Sequence, residues 1–245
     1  MDLRYDGHSA HALAVQCGAV RVSLHAALLS TMDVAHAMAE QGAPAGTVVL
    51  TDRQSAGRGR GGRSWASAPG DSITLTLIER PDDEASVGVL SLRLGLAAAP
   101  VLEARALGAV LLKWPNDLFL PAGKLGGILV EARWREGQPE WVAIGVGINV
   151  RPSPLAGTAA LAVGTFRVEI LAGLIPAFRQ AAAMRGPLTD AELSAFALRD
   201  WAGGRQVEEP ARGVARGLSP AGALLVETAT GLVACSTGSL VLAEN

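Results

Sequence analysis

Lysine is nearly missing from this chain. Of its 21 basic residues only two, Lys113 and Lys124, are lysines, and both fall in one stretch, KWPNDLFLPAGKLGG. Everywhere else a cation is wanted, arginine supplies it. Arginine is a permanently charged planar fork, whereas lysine is a compact ammonium that can sit against a reacting oxygen without a fixed bidentate geometry. A chain that otherwise avoids lysine needs an ammonium at one of these two positions, which makes the stretch the first candidate for a reaction centre. Cysteine is as scarce: Cys17 and Cys235 lie near opposite ends and form no metal-ligand spacing. Free thiols in a reducing compartment are the simpler expectation. Of the four histidines, His8 and His11 fall in an N-terminus expected to fray, and His25 and His36 lack partners at metal spacing. A formal net charge of −2 over 245 residues gives no bulk attraction to nucleic acid or to a membrane. No basic segment followed by an apolar run opens the chain, so no signal peptide is expected. Apolar runs such as LGLAAAPVL are shorter than a bilayer span and contain Pro100. A cytoplasmic location follows as the expectation.

What is present is core material. The chain is 49% hydrophobic and 18% charged, a globular composition. Alternation and helical periodicity place strands at Val20–Leu24, Gly46–Thr51, Ser72–Ile78, Val110–Lys113, Ile128–Trp134 and Trp141–Asn149. Ser72, Thr74 and Thr76 alternate with Ile73, Leu75 and Leu77, which predicts a half-buried strand. Helices are expected from Ser30 or Thr31 toward Gly42, over Ser86–Glu103, over Thr165–Ala183 and over Ala191–Arg199. After Gly203 and Gly204 the pattern turns to short strands with tight turns. This gives an α/β (α+β) domain over residues 1–203 and a small β-barrel-like module over residues 204–245.

Two segments carry chemistry. GRGRGGRSW holds Gly57, Gly59 and Gly62 as a formal GxGxxG directly after a strand. A dinucleotide fingerprint needs a helix to start at the third glycine, and here Pro69, Gly70 and then a strand follow instead. What remains is three guanidiniums, Arg58, Arg60 and Arg63, on a backbone loosened by glycine. It is either a solvated basic loop or one that stays mobile when empty and closes around an anion. Trp65 ends the run as a packed wall. In the second segment Pro115 fixes the backbone ahead of Asn116 and Asp117. An amide and a carboxylate there can hold Mg²⁺ or a polar ligand edge, or form an ordinary turn. Gly126 and Gly127 beside Lys124 allow close approach to the backbone, and so do the glycines of GVGIN, which ends at Asn149. Trp134, Trp141 and Trp201 read as packing residues, and Glu131 as either a partner behind the site or an exposed strand residue.

In combination STMD (Ser30 to Asp33), Gln54 with GRGRGGRSW, KWPNDL, GKLGGILVE and GVGIN resemble the biotin–protein ligases. The resemblance covers Leu24 to Asn149, and the closing β-module is similar, more loosely, to that family's SH3-like C-terminal domain. It implies a mixed-sheet catalytic core akin to class II aminoacyl-tRNA synthetases. The implied reaction uses biotin and ATP, with Mg²⁺, to form biotinyl-5′-AMP, then passes the biotinyl group to a lysine of the biotin carboxyl carrier domain of a biotin-dependent carboxylase. It implies Lys124 as the catalytic lysine with Arg60 and Asp117. Biotin contacts are implied at Ser30, Thr31, Gln54, Arg58, Gly59, Arg60, Lys124 and Gly127. ATP contacts are implied at Arg58, Arg60, Arg63, Trp65, Asn116, Asp117, Lys124 and Asn149, with Asp117 a candidate for the metal. Met32 stands where the family commonly has asparagine. Only about 23 residues precede Leu24, too few for the winged helix of bifunctional members, so no DNA binding is expected; a homodimer is possible by analogy. A lipoyl or octanoyl ligase and a non-catalytic vitamin sensor are the competing readings.

Overall fold

The computed structural model describes residues 3–65 and 68–243. In chain order the elements are α1 (Ala10–Cys17), β1 (Arg21–His25), α2 (Thr31–Glu40), β2 (Thr47–Thr51), β3 (Gly57–Arg58), β4 (Ser64–Trp65), β5 (Ser72–Glu79) and α3 (Glu84–Glu103). Then come β6 (Leu111–Lys113), β7 (Asp117–Leu120), β8 (Gly123–Arg135), β9 (Gln138–Asn149), α4 (Arg167–Ala182) and α5 (Asp190–Ala197). The chain closes with β10 (Gln206–Glu209), β11 (Gly213–Leu218), β12 (Leu224–Thr228), β13 (Gly231–Cys235) and β14 (Val241–Leu242).

A seven-stranded mixed sheet runs β1-β2-β5-β9-β8-β7-β6. The β1–β2 pair is parallel, joined through α2, and the other pairs are antiparallel. Helices α3 and α4 cover one face, where Leu75, Leu77, Ile144, Val146, Leu94 and Leu171 join the main core. On the other face α2 packs over β2, β5 and β9, with Ala35, Ala39, Val49, Ile78 and Trp141 in a second, smaller core. That helix covers only part of the face, so the glycine-lined remainder is where a pocket forms.

Strand β5 is buried on both faces rather than half-buried. Its Ser/Thr row turns toward α2 and the pocket instead of toward water, and Thr76 Oγ1 donates to Thr31 Oγ1 at 2.9 Å. The N-terminus is ordered rather than frayed. Tyr5 and His8 pair through their backbones, and α1 follows, capped by the Ser9 hydroxyl and closed by Gly18 in the left-handed region. Burial of Leu13 and Cys17 against β1 and α4 supplies the energy; the Cys17 thiol is pushed up to about 11 by that burial. The run LGLAAAPVL lies inside α3, whose 20 residues would suffice by length and composition for a bilayer span. Here α3 buries Leu90, Leu94, Ala98 and Leu102 in the core. Arg93, 2% exposed, crosses from α3 to Glu192 at 2.6 Å.

The C-terminal strands form a five-stranded sheet, β13-β12-β11-β10-β14. Val207, Ala215, Leu224, Val226 and Leu240 join the main core cluster, so the module shares its interior with the larger sheet.

Candidate active site

One cross-strand row forms the floor of the site. Thr51 on β2 pairs with Thr74 on β5, Thr74 with Gly147 on β9, Gly147 with Gly127 on β8, Gly127 with Asp117 on β7, and Asp117 with Lys113 on β6. Directly opposed residues in antiparallel strands point to the same face. This row therefore runs from hydroxyls, through two glycines, to a carboxylate and an ammonium. Glycine at 127 leaves room for the two charged groups: an added Cβ would sit 3.2 Å from Asp117 Oδ1 and 3.7 Å from Lys124 Nζ.

Above the floor lies a pocket of about 910 Å³ including its open mouth. It is lined by Thr31, Gln54, Arg58, Gly59, Arg60, Arg63, Trp65, Asn116, Asp117, Lys124 and Gly127, all of them expected from the sequence. Lys124 Nζ donates to Asp117 Oδ1 at 2.7 Å, so the cation stands at the middle of the row. Asn116 gives its amide N–H to the Ile128 carbonyl at 3.0 Å, which leaves its side-chain oxygen without a partner among the described residues.

One end of the pocket is polar and closed. Gln54 Oε1 accepts from the Thr31 backbone N–H at 2.7 Å and from its hydroxyl at 3.0 Å. Ser30 occupies the N-cap position of α2 but makes no capping bond; its buried hydroxyl has no partner among the described residues. A buried hydroxyl left unpaired costs about 1–3 kcal/mol, and the polar atoms that reach the pocket at this end belong to Thr31 and Gln54. Ser30 lies behind the lining rather than on it.

The glycine–arginine loop is folded rather than loose. Strands β3 and β4 pair, and a short 3-10 turn over Arg60–Gly62 makes the tip. Arg60 donates to the Gly238 carbonyl at 2.7 Å and Arg63 to the Ser239 hydroxyl at 2.8 Å, which fastens the tip to the C-terminal module. Arg58 turns the other way, to Asp33 at 2.8 Å and Glu131 at 3.5 Å. Glu131 in turn accepts from His36 Nε2 at 3.0 Å, while Trp141 donates to His36 Nδ1 at 3.0 Å. Glu131 is thus a partner behind the site and Trp141 a packing residue. Trp134 is 41% exposed rather than part of the core.

Asn149, expected to face the nucleotide, does not line the pocket. Its amide donates to the carbonyls of Lys124 at 3.3 Å and Ala159 at 3.1 Å, because the segment at Thr158–Ala159 pairs against Lys124 and covers that end of β9. It supports the lysine's backbone. The close approach expected at GVGIN is real but is made by the chain's own side chains: Met32 lies over Gly145 and the Trp65 indole over Gly147. Absent from the expected contacts, yet lining the pocket, are Lys113, Met32, Thr74, Ser239 and Leu240. Lys113 was visible as one of two lysines; Ser239 and Leu240 come from a remote part of the chain and carry no local signal.

The Lys113 ammonium sits over the rings of Trp201 at 4.5 Å and Phe119 at 5.5 Å. Burial lowers its pKa; Asp117 opposes that, and Lys124, Arg63 and Arg205 add to it. Among the described residues no three His, Cys, Asp or Glu side chains gather as a metal cluster. Asp117 and Asn116 offer one carboxylate and one amide oxygen, a set suited to Mg²⁺ that arrives with substrate phosphates.

Known proteins are similar to this chain in sequence and in fold. The Bacillus subtilis bifunctional ligase/repressor BirA is 40% identical over 131 residues, which span 53% of this chain and 40% of that protein. The Mycobacterium tuberculosis biotin–[acetyl-CoA-carboxylase] ligase is 41% identical over 115 residues, 44% of this chain and 41% of that protein. The chain thus spans less than half the length of these curated relatives. The solved structure of the Aquifex aeolicus biotin protein ligase in complex with biotin and ATP superposes with a TM-score of 0.72 at 23% identity. It covers 91% of this chain and 99% of that one, so the mixed sheet and the small C-terminal sheet share its fold. The profile of the biotin/lipoate A/B protein ligase family matches residues 26–149, just over half of the sequence, and the chain belongs to that family.

Proposed function

We propose that this chain is an ATP-dependent biotin–protein ligase: it activates biotin as biotinyl-5′-AMP and passes the biotinyl group to a lysine of a biotin carboxyl carrier domain. The observation that carries the reading is the Lys124–Asp117 pair at mid-row, between the closed polar end at Ser30, Thr31 and Gln54 and the arginine loop. The family membership and the names of its relatives point the same way. A ureido ring is a polar edge that suits the polar end. A lipoyl or octanoyl chain would place an apolar group against the polar atoms of Thr31 and Gln54, the kind of mismatch that discriminates most strongly.

The chemistry follows from the charges. A carboxylate oxygen attacks the α-phosphorus of the nucleotide, the acyl–phosphate bond forms, and the bond to the bridging oxygen breaks as pyrophosphate leaves with the electron pair. Two anions must approach one another, and a fixed cation at their meeting point lowers that barrier. Lys124 takes this role, oriented by Asp117. MgATP is the nucleotide substrate, and the oxygens of Asp117 and Asn116 that face the pocket would hold its metal, which would offset charge on the phosphates. The acyl adenylate hydrolyses readily, and the Arg58–Arg63 loop shields it from water. A lysine amine of the carrier then attacks the acyl carbon and AMP leaves.

Biotin-dependent ATP–pyrophosphate exchange on the purified chain with Mg²⁺, run beside lipoate and octanoate, tests the reading. Exchange with biotin alone is expected. Exchange with lipoate or octanoate instead assigns the other acyl specificity, and tight biotin binding without exchange makes the protein a sensor.

A further inference from the structure

Lys113 is the one charged residue of the floor row to which the adenylation chemistry above gives no task. It stands at the far end of that row, on the edge strand of the sheet, one strand beyond Asp117 and two beyond Gly127. Strands lie roughly 4.8 Å apart, so Lys113 is about 10 Å from the β8 floor. Its ammonium lines the pocket, yet among the described residues it has neither a hydrogen bond nor an ion pair; its neighbours are the faces of Trp201 and Phe119. Arg205 lies 4.9 Å from the same Trp201 ring, and Arg63 lines the same cavity. Lys113 and Arg63 thus line this pocket while Arg205 stands against the same Trp201 ring outside the lining, and the one carboxylate among the described lining residues, Asp117, is engaged by Lys124. Aromatic faces favour an ammonium electrostatically, but they offer no hydrogen-bond acceptor for its three N–H groups. Those donors await an anion.

The direction of the reaction says which anion. In phosphoryl and nucleotidyl transfer the attacking and leaving oxygens lie in line on opposite sides of phosphorus. The acyl end of the pocket, at Thr31 and Gln54, adjoins β5 and β9. If the carboxylate approaches from there and meets phosphorus at Lys124 on β8, the leaving group departs across β7 toward β6. We propose that Lys113, backed by Trp201 and flanked by Arg63, is the binding residue for the leaving pyrophosphate. This rests on the adenylating activity proposed above. Lys124 and Lys113 then divide the work: one cation serves the bond being made, the other serves the group expelled.

Calorimetric titration of inorganic pyrophosphate with Mg²⁺ into wild type, Lys113→Met and Lys113→Arg tests the assignment. Methionine keeps the apolar stem against Trp201 and Phe119, and equal melting temperatures check that the fold survives. Lys113→Met is expected to weaken pyrophosphate binding roughly tenfold to a hundredfold, the worth of a charge-assisted hydrogen bond, while Lys113→Arg retains most of it. Single-turnover transfer from synthetic biotinyl-5′-AMP to a carrier domain, a step with no pyrophosphate in it, is expected to fall much less than pyrophosphate binding does in Lys113→Met. Wild type that fails to bind pyrophosphate, or variants that bind it as wild type does, overturns the proposal. So does a Lys113→Met variant whose transfer step falls as far as its pyrophosphate binding, or whose only change is a higher KM for the carrier domain. Pyrophosphate binding that depends on Lys113 in a chain without biotin-dependent exchange would leave the anion site standing and remove the acyl-activation reading, so the two failures are told apart.

Discussion

At the scale of single residues the site depends on the difference between an ammonium and a guanidinium. Lys124 occupies a slot bounded by Asp117 Oδ1 at 2.7 Å and by the backbone of Gly127, where an added Cβ would lie 3.7 Å from its nitrogen. A planar fork on the same carboxylate would engage both of its oxygens and spread its charge away from the point that the compact ammonium occupies. Lys124→Arg is therefore expected to keep the fold and to lower the initial rate of biotin-dependent ATP–pyrophosphate exchange by roughly 10²-fold or more, the scale of losing one preorganised contact to developing charge. Undiminished exchange would remove Lys124 from the reaction. Much of this was legible in the chain, because a composition that avoids lysine makes its two lysines conspicuous. Less legible was the role of Asn149. Its short polar side chain at a strand end suggested a ligand contact, but the Thr158–Ala159 segment that covers it is a tertiary arrangement without local signal.

At the scale of elements, the misread segments are those whose composition speaks of turns. KWPND does turn, over residues 114–116 at the end of the expected strand, but Asp117 already opens strand β7, and PAGKLGG, full of Pro and Gly, holds the Gly123–Gly127 start of strand β8. Pairing with β6 on one side and the long β9 on the other overrides those local preferences. Helix α1 was missed although its Ser9 cap and Gly18 terminator stand in the sequence; it is short and only weakly amphipathic. The glycine–arginine loop is the opposite case. Its composition suggested mobility, and the structure gives it a paired ribbon whose tip is pinned by Arg60 and Arg63. If the loop guards an acyl adenylate, the pin sets how long the intermediate is retained. Arg60→Ala removes one charge-assisted bond to the Gly238 carbonyl and the contact with the Trp114 ring at 5.9 Å. Release of biotinyl-5′-AMP into solution, followed by rapid-mixing with a trap, is expected to rise about tenfold. Equal retention in wild type and variant would show that the fastening has no part in capture.

At the scale of the whole molecule, the change of pattern at Gly203–Gly204 marks where the short strands begin but not how they attach. The attachment is interior. Core residues of β10, β11 and β12 are continuous with those under the seven-stranded sheet, and the Leu188 N–H donates to the Pro220 carbonyl at 2.8 Å. The Trp114 indole donates to the Gly222 carbonyl at 2.9 Å in a buried setting. That last bond joins the residue beside Lys113 to the module that also holds the loop tip, so the same contact serves cohesion and the geometry of the pocket. Its removal isolates the first effect. Trp114→Phe keeps most of the ring volume but leaves the buried Gly222 carbonyl without its donor, at a cost of about 1–3 kcal/mol. Trp134→Phe, at an exposed position, is the matched control and is expected to stay within about 0.5 kcal/mol of wild type. Urea unfolding followed by both tryptophan fluorescence and far-ultraviolet circular dichroism should show one transition at one midpoint for each protein, because a shared core unfolds as a unit. Two separated transitions in wild type, or a Trp114→Phe midpoint no lower than that of the control, would mean that the module is merely tethered and that its hold on the arginine loop is not built into the fold.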